Sequence, residues 1–223
     1  MSLFLALTMM LSLSTTAFAA ETFEYNQISS MEIPVEFYGV DLFSTNFDVN
    51  QMTDTEKNFF NFLLEKEADR YLSDYDSSES KEQVIDDIQS IITEGLNSPI
   101  NSSTTTAMYA APWWHLNTVG KVGSAINILI SAALATVGGG IASGGIRALI
   151  AKVGEQEAKK IVKNVVVNKV KNTLIAWGMS GMANKISNSL LTSLMWLADP
   201  GTAIAEWLDK HDAKPNNGYI EAW

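Results

Sequence analysis

The chain has 223 residues, 47% of them hydrophobic, and a net charge of −10 from 25 acidic and 15 basic residues. It has no cysteine and two histidines, which excludes disulfides and cysteine-based zinc sites. The length allows one or two domains, which must be held by apolar packing, held by a membrane, or left loosely folded.

The negative charge is concentrated in the first half of the chain. Residues 20–100 contain 18 Asp or Glu against 4 Lys or Arg, whereas residues 101–223 contain 7 acidic and 11 basic residues. Within residues 113–198 the only acids are Glu155 and Glu157, against nine bases. This asymmetry indicates that the halves pair with each other or that one of them binds an anionic surface.

Residues 1–19 are typical of a secretory signal peptide. An apolar run, LFLALTMMLSLSTTAFA, ends in the small-x-small pattern that signal peptidases accept, which predicts Sec-dependent export with a cut after Ala19. The run is too short to span a bilayer. No Lys or Arg precedes it, so the positive charge comes from the free amino terminus or from residues upstream. A buried or membrane-spanning first helix is the alternative.

The acidic region, residues 20–100, contains two predicted amphipathic helices. Thr53 or Asp54 caps the first helix, while Ser80 opens the second and Gly95 closes it. Their apolar stripes consist of Phe59, Phe60, Leu63, Leu64 and Leu72 in the first helix and of Val84, Ile88, Ile91 and Ile92 in the second.

Residues 101–112 predict a linker rich in Ser and Thr, and all six tryptophans lie beyond it. The pattern then indicates a hydrophobic, cationic helical region over residues 113–198, followed by a short helix and tail over residues 199–223. Asp199 and Pro200 are expected to open that short helix. Between the linker and this short helix, the predicted helices span 116–137, 141–153, 155–177 and 182–198. The predicted fold is all-α.

The segment SAINILISAALATVGGGIASGGIRALI, residues 124–150, overlaps a stretch of 24 uncharged residues, 123–146, whose second half is interrupted by glycines. About 20 apolar residues suffice to span a bilayer, but this run is less apolar than an ordinary span. It predicts a helical hairpin that is either a water-soluble core or a membrane insert, with two glycines that allow close helix approach in lipid. The residues predicted to insert are Ile126, Leu129, Ile130, Leu134, Val137, Gly140 and Gly144.

Tryptophan and basic residues flank the uncharged run, and both favour bilayer interfaces because they combine an apolar body with a polar tip. A cationic helical segment of this kind is expected to bind the anionic lipid of a bacterial membrane. The predicted interfacial anchors are Trp113, Trp114, Lys121, Arg147, Lys152 and Trp177.

No pattern indicates catalysis or a cofactor. The glycine group lacks the Lys-Ser/Thr of a P-loop, and the chain has neither a G-x-S-x-G elbow nor an H-E-x-x-H motif. His115 and His211 lie on unlike segments, which disfavours a metal site. The pair Asp86 and Asp87 is typical of a solvated helix face. We expect no enzyme activity, no cofactor and no metal. We also expect no nucleic-acid partner, because the chain is expected to be exported and one half of it is acidic.

The order of these parts resembles the precursors of the sporulation-delaying, or cannibalism, toxin family of Gram-positive bacteria and, more broadly, Sec-exported bacteriocins. The resemblance rests on the apolar leader, on the acidic stretch MTDTEKNFFNFLLEKEADRYLSDYDSSESKEQVIDDIQSIITEGL and on the uncharged run. It implies a secretion signal, a helical pro-region and a hydrophobic helical-hairpin toxin that cleavage frees. The family toxin has a cysteine pair, which this chain lacks, and the apolar part here continues into further helices.

These features predict a secreted antibacterial precursor whose C-terminal helices permeabilise membranes. Its expected partners are its own acidic pro-region, anionic bacterial lipid and a cognate immunity membrane protein. The maturation cut is expected between Thr106 and Pro112, at the small residues Ala110 and Ala111, because the residue before a proline avoids the helical conformation. A linker that is never cut is one alternative, and a secreted all-helical protein-binding module without membrane activity is the other.

Overall fold

The computed structural model describes residues 33–96, 118–137, 149–150 and 152–221. These residues are predominantly helical, which confirms the all-α prediction, and an isolated bridge between Thr118 and Tyr219 is the one β-pairing among them. Two 3-10 turns, Val35–Phe37 and Leu42–Thr45, come first. The α-helices that follow are α1 (Asp54–Tyr75), α2 (Lys81–Glu94), α3 (Val119–Thr136), α4 (Glu155–Ile161), α5 (Val167–Ala176), α6 (Ser180–Lys185), α7 (Asn188–Leu194) and α8 (Pro200–His211).

Helices α1 and α2 begin at the predicted caps. The Thr53 hydroxyl accepts a hydrogen bond from the Glu56 N–H, and the Glu56 carboxylate accepts one from the Thr53 N–H at 2.7 Å, which is a capping box. The Ser80 hydroxyl accepts from the backbone at the start of α2. Gly95 ends α2 with a φ of 76°, and a Cβ there would lie 3.1 Å from the backbone of Trp177. A side chain at this position would therefore be strained and crowded.

Helix α3 is the centre of the fold and packs against α1, α2, α5 and α8. Four large residues of α3 that were predicted to insert into a membrane are buried in the fold: Ile126, Leu129, Ile130 and Leu134. Val137, just beyond the end of α3, is partly buried.

The most extensive helix contact joins α3 to α8, and it depends on glycine. A Cβ on Gly201 would clash with the carbonyl oxygen of Gly123 and come within 2.6 Å of the Asn127 side chain. A Cβ on Gly123 would lie 2.9 Å from Thr202. This close approach involves Gly123 and Gly201; Gly140 and Gly144, for which the sequence predicts a close approach in lipid, lie outside the described residues.

The remaining described helices follow the predicted pattern with differences within 155–177 and within 182–198, and most of the helix predicted over 141–153 lies outside the described residues. Helices α4 and α5 form one continuous rod, as predicted for 155–177, but a π-helical turn, Val162–Val166, lies between them. The single helix predicted over 182–198 is divided into α6 and α7. Ile186 takes an extended conformation and is buried, and the Ser187 hydroxyl caps α7 by accepting from the Leu190 N–H at 3.1 Å. A serine cap and the burial of an isoleucine thus outweigh helix continuity.

Candidate functional site

Among the described residues, α3 is the one helix whose length and composition would let it cross a membrane, and 83% of it is buried within the fold. The core helix of a water-soluble protein has the same properties. The candidate functional site is therefore α3 together with the side chains that cover it.

The acidic region covers α3 directly. The rings of Tyr71 and Tyr75, at the end of α1, stack on each other and lie against Gly120, where a Cβ would come within 2.8 Å of both rings. Together with Thr118 and Gly218 they line an open cleft of about 370 Å³ at the start of α3. The acidic region and the apolar helix therefore share one core.

The first polar cluster, the Lys121 cluster, consists of Lys121 on α3, Glu79 before α2 and Asp87 on α2. The Lys121 ammonium donates hydrogen bonds to both carboxylates at 2.7 Å, although only 1% of its side chain is exposed. Burial opposes the charge, but hydrogen bonds to Asp87 and Glu79 outweigh it and raise the pKa of Lys121 above its usual value. Lys121 is a charged lysine held in the core.

This cluster contains two residues for which the sequence analysis made predictions, Lys121 and Asp87. Lys121 was predicted to anchor α3 at a bilayer interface, yet in this fold it is buried against carboxylates of the acidic region. Asp87 was expected on a solvated face together with Asp86. Asp86 is exposed, whereas Asp87 is buried because it turns toward Lys121.

The second polar cluster, the Arg70 cluster, joins α1, α3 and the start of α8. The Arg70 guanidinium on α1 donates to Glu67 at 2.7 Å and pairs with Asp199, the N-cap of α8. The Asn127 amide on α3 donates to Asp199 at 2.8 Å, and its oxygen accepts from the Gly201 N–H at 2.8 Å. One arginine and one asparagine thus tie three helices together.

The two carboxylates beside Arg70 differ in their affinity for protons. Burial raises the pKa of Glu67 to about 7, although the charge of Arg70 acts in the opposite direction. For Asp199, burial acts to raise the pKa, but the charge of Arg70 and the N–H of Thr202 overcome it and hold the pKa below its usual value. The Arg70 cluster therefore contains one carboxylate that titrates near neutral pH.

Further contacts join the acidic region to the opposite end of α3 and to α5. The Gly39 N–H donates to the carbonyl oxygen of Ala135 at 3.0 Å. The Lys169 ammonium on α5 lies 2.9 Å from the Asp41 carboxylate and 4.1 Å from the centre of the Phe43 ring. The acidic region thus contacts α3 at both ends.

Trp177, a predicted interfacial anchor, is buried, and its indole N–H donates to the carbonyl oxygen of Ile92 at 3.3 Å. Lys152, another predicted anchor, is exposed. The other predicted site residues lie outside the described residues: Trp113, Trp114, Arg147, Gly140, Gly144, Ala19, Ala110 and Ala111.

Sequence reasoning missed the Arg70 cluster, although two signals pointed to it. Arg70 is the only arginine in residues 20–100, and Asn127 is the only asparagine in the uncharged run. A single polar side chain within an otherwise apolar segment must find partners when it is buried.

Within the part of the chain that the structure describes, no group of three or more His, Cys, Asp or Glu side chains could hold a metal ion. The Lys121 and Arg70 clusters join α3 to the helices around it, and the Glu67 carboxyl, with its raised pKa, can gain or lose a proton near neutral pH. Comparison of the chain with protein-family models, with curated proteins and with solved structures finds no match in any of the three.

Proposed function

We propose that the chain is a secreted antibacterial precursor in which the acidic region covers a membrane-active helix until a protease cuts the linker. The observation that supports this proposal most directly is the position of α3. An apolar helix of bilayer-spanning length lies beneath α1 and α2 and is joined to them by the Lys121 and Arg70 clusters.

The physical argument concerns what removal of the cover would expose. Apolar surface of α3 that α1 and α2 now bury would meet water, at a cost of about 25 cal/mol per Å². A bilayer offers that surface an apolar environment. Residues 113–198, with nine basic and two acidic residues, would be drawn to anionic lipid by about 1 kcal/mol per well-placed basic residue. The C-terminal part would then insert and permeabilise the target membrane.

The proposal includes export, anionic bacterial lipid as the target and a cognate immunity membrane protein in the producing cell. It includes no enzyme activity, no cofactor and no nucleic-acid partner.

A secreted helical protein-binding module is the second candidate function. It is favoured by the complete burial of Lys121 between two carboxylates, which is how a water-soluble protein accommodates a charge in its core. Its binding surface would include the exposed Leu197, beside Trp196.

The test uses the chain 20–223 with a recognition site for a specific protease placed within residues 104–111. Dye-loaded vesicles containing phosphatidylglycerol should stay intact with the uncut protein and leak after the cut. Vesicles of phosphatidylcholine alone should leak much less, and high salt should weaken leakage by screening the attraction to the surface. The matched control is the same chain without the recognition site, treated with the same protease. A cut protein that leaves anionic vesicles intact would overturn the proposal and favour the protein-binding module.

A further inference from the structure

We infer that the acidic region stays bound to the C-terminal part after a cut in the linker and then acts as a non-covalent helical inhibitor of that part. The inhibitory role rests on the proposed function, whereas the binding itself does not. The interaction surface is the side of α3 that α1 and α2 cover, and its partner is the acidic region that contains these two helices.

The area of contact is the first argument. Helix α1 presents a continuous apolar stripe to the shared core, and the neighbouring helix α2 adds a second stripe. The large residues of the α1 stripe are each no more than 1% exposed: Phe59, Phe60, Leu63 and Leu64. The α2 residues Val84, Ile88 and Ile91 are equally buried. Part of this burial lies within the acidic region, where Phe59 stacks on Phe37 and Phe60 packs on Phe47. Helices α1 and α2 also pack directly on α3, and those contacts do not depend on a continuous chain between the two parts.

The distribution of polar contacts is the second argument. They hold the acidic region at the start of α3 through Lys121, near its middle through Asn127 and at its end through Ala135. The link from Trp177 to Ile92 adds a contact with the end of α5. Dissociation would have to break all of these contacts together.

The chemistry of the Lys121 cluster is the third argument. Both Lys121 and Asp87 are buried, and separating such a pair without other partners is strongly unfavourable. Salt screens a buried pair much less than an exposed one. High ionic strength alone should therefore not release the acidic region.

The cut itself removes little of the interaction. A covalent connection between two bound parts contributes an effective concentration, about millimolar for a short linker, and cutting it removes only that contribution. The contacts along α3 remain. It follows that dissociation is a separate step, which an anionic bilayer can drive by binding the C-terminal part.

The experiment again uses the chain 20–223 with a protease site within residues 104–111, cut after folding and then passed over a gel-filtration column. The two fragments should elute together at the position of the uncut protein, both in low salt and in about 1 M salt, where the Debye length is about 3 Å. Elution as two separate species in low salt would overturn the inference.

A double variant tests the role of the Lys121 cluster. The change Glu79→Gln with Asp87→Asn removes both carboxylates, so the cut fragments should separate at protein concentrations at least about tenfold higher than those at which the wild-type fragments separate. On anionic vesicles the cut double variant should cause leakage at about tenfold lower concentration. The matched control is Asp69→Asn, which removes only the exposed ion pair with Lys81 and should behave as the wild type. Equal dissociation of the double variant and the control would count against the inference.

The two proposals fail in different ways. Fragments that elute together but never cause leakage would overturn the membrane function and leave the binding intact. Fragments that elute separately and do cause leakage would overturn the inhibitor and leave the membrane function intact. If the double variant does not fold, as judged by circular dichroism before the cut, co-elution of the wild-type fragments decides the inference.

Discussion

The ammonium nitrogen of Lys121 lies 2.7 Å from a carboxylate oxygen of Asp87, and both side chains are buried. Lys121 belongs to the apolar helix α3, while Asp87 belongs to the acidic region. Among the described residues, this ion pair is one of four that connect the two parts of the chain that composition separates most sharply; the others are Lys121–Glu79, Arg70–Asp199 and Lys169–Asp41. Because the charges are in the core, each depends on the other.

We expect Asp87→Asn to lower the free energy of unfolding of the chain 20–223 by about 1.5–3 kcal/mol, the usual cost of losing a hydrogen bond to a charged group. The substitution leaves the buried Lys121 charge with one carboxylate fewer, while Glu79 still accepts a hydrogen bond from it at 2.7 Å. Urea unfolding followed by circular dichroism measures it. Asp69→Asn, at the exposed pair with Lys81, should cost no more than about 1 kcal/mol. An equal loss in the free energy of unfolding for the two variants would show that the buried pair stabilises the fold no more than the exposed pair does.

A combined variant separates the charge from the packing. Lys121→Met together with Asp87→Asn removes both partners, and an apolar side chain of similar length then fills the space of the lysine. We expect it to recover part of the stability that Asp87→Asn loses, because the core then no longer contains a buried lysine that has lost one of its carboxylate partners.

The buried carboxyl of Glu67 predicts a dependence of stability on pH. Its pKa is about 7 in the fold and near 4.3 in the unfolded chain, so the folded protein binds the proton more tightly. The resulting stabilisation is fully present below the unfolded pKa and is lost as the pH rises through the folded pKa. Relative to Glu67→Gln, which cannot titrate, the wild type should gain about 1 kcal/mol between pH 8 and pH 6.

Urea unfolding of both proteins at pH 6, 7 and 8 measures this difference. The charged groups around Glu67 are Arg70, with which it pairs, and Asp199, and both are unchanged in the variant. Glu65→Gln, on the exposed side of α1, is the control and should keep the wild-type slope. Parallel pH profiles for the wild type and Glu67→Gln would contradict the prediction.

The sequence predicts the parts of the fold that short-range interactions determine. The caps at Thr53, Ser80 and Asp199 are each completed within three residues, so the starts of α1, α2 and α8 could be located from the sequence. The stripes on α1 and α2 follow from helical periodicity for the same reason. The division between α6 and α7 was missed because the burial of Ile186 depends on the rest of the core.

The candidate site could not be predicted in the same way, since its contacts are distant in sequence. Lys121 lies 34 residues from Asp87, and Arg70 lies 129 residues from Asp199. Composition indicated either that the halves pair with each other or that one of them binds an anionic surface, but it did not identify the residues that pair. Lys121 beside an uncharged run fits a bilayer interface as well as a buried pair, because only the folded chain brings Asp87 to it.

The contact between α3 and α8 predicts a large effect of one methyl group. In Gly201→Ala the new Cβ would meet a backbone oxygen of Gly123, which cannot move without displacing α3. We expect destabilisation of about 1–3 kcal/mol, or more if the helices separate. Gly181→Ala in α6 is the matched control because its Cβ meets nothing within 4 Å, and it should be neutral or stabilising by up to about 1 kcal/mol. Thermal unfolding of the two variants gives the comparison, and similar melting temperatures would contradict it.

The proposed maturation step predicts that residues 107–111 are needed for activity but not for folding. Leu96 is buried at the end of α2, and the Thr118 hydroxyl caps α3 by accepting from the Lys121 N–H. Both ends of the intervening segment are therefore held by the fold, so a protease-resistant sequence of equal length should leave the core intact. The exported variant should have the wild-type circular dichroism spectrum, stay full-length in the culture supernatant by mass spectrometry, and fail to kill sensitive cells. An equal replacement of residues 98–102 is the control and should be cut and active. Killing by the intact variant would show that the acidic region does not inhibit the C-terminal helices.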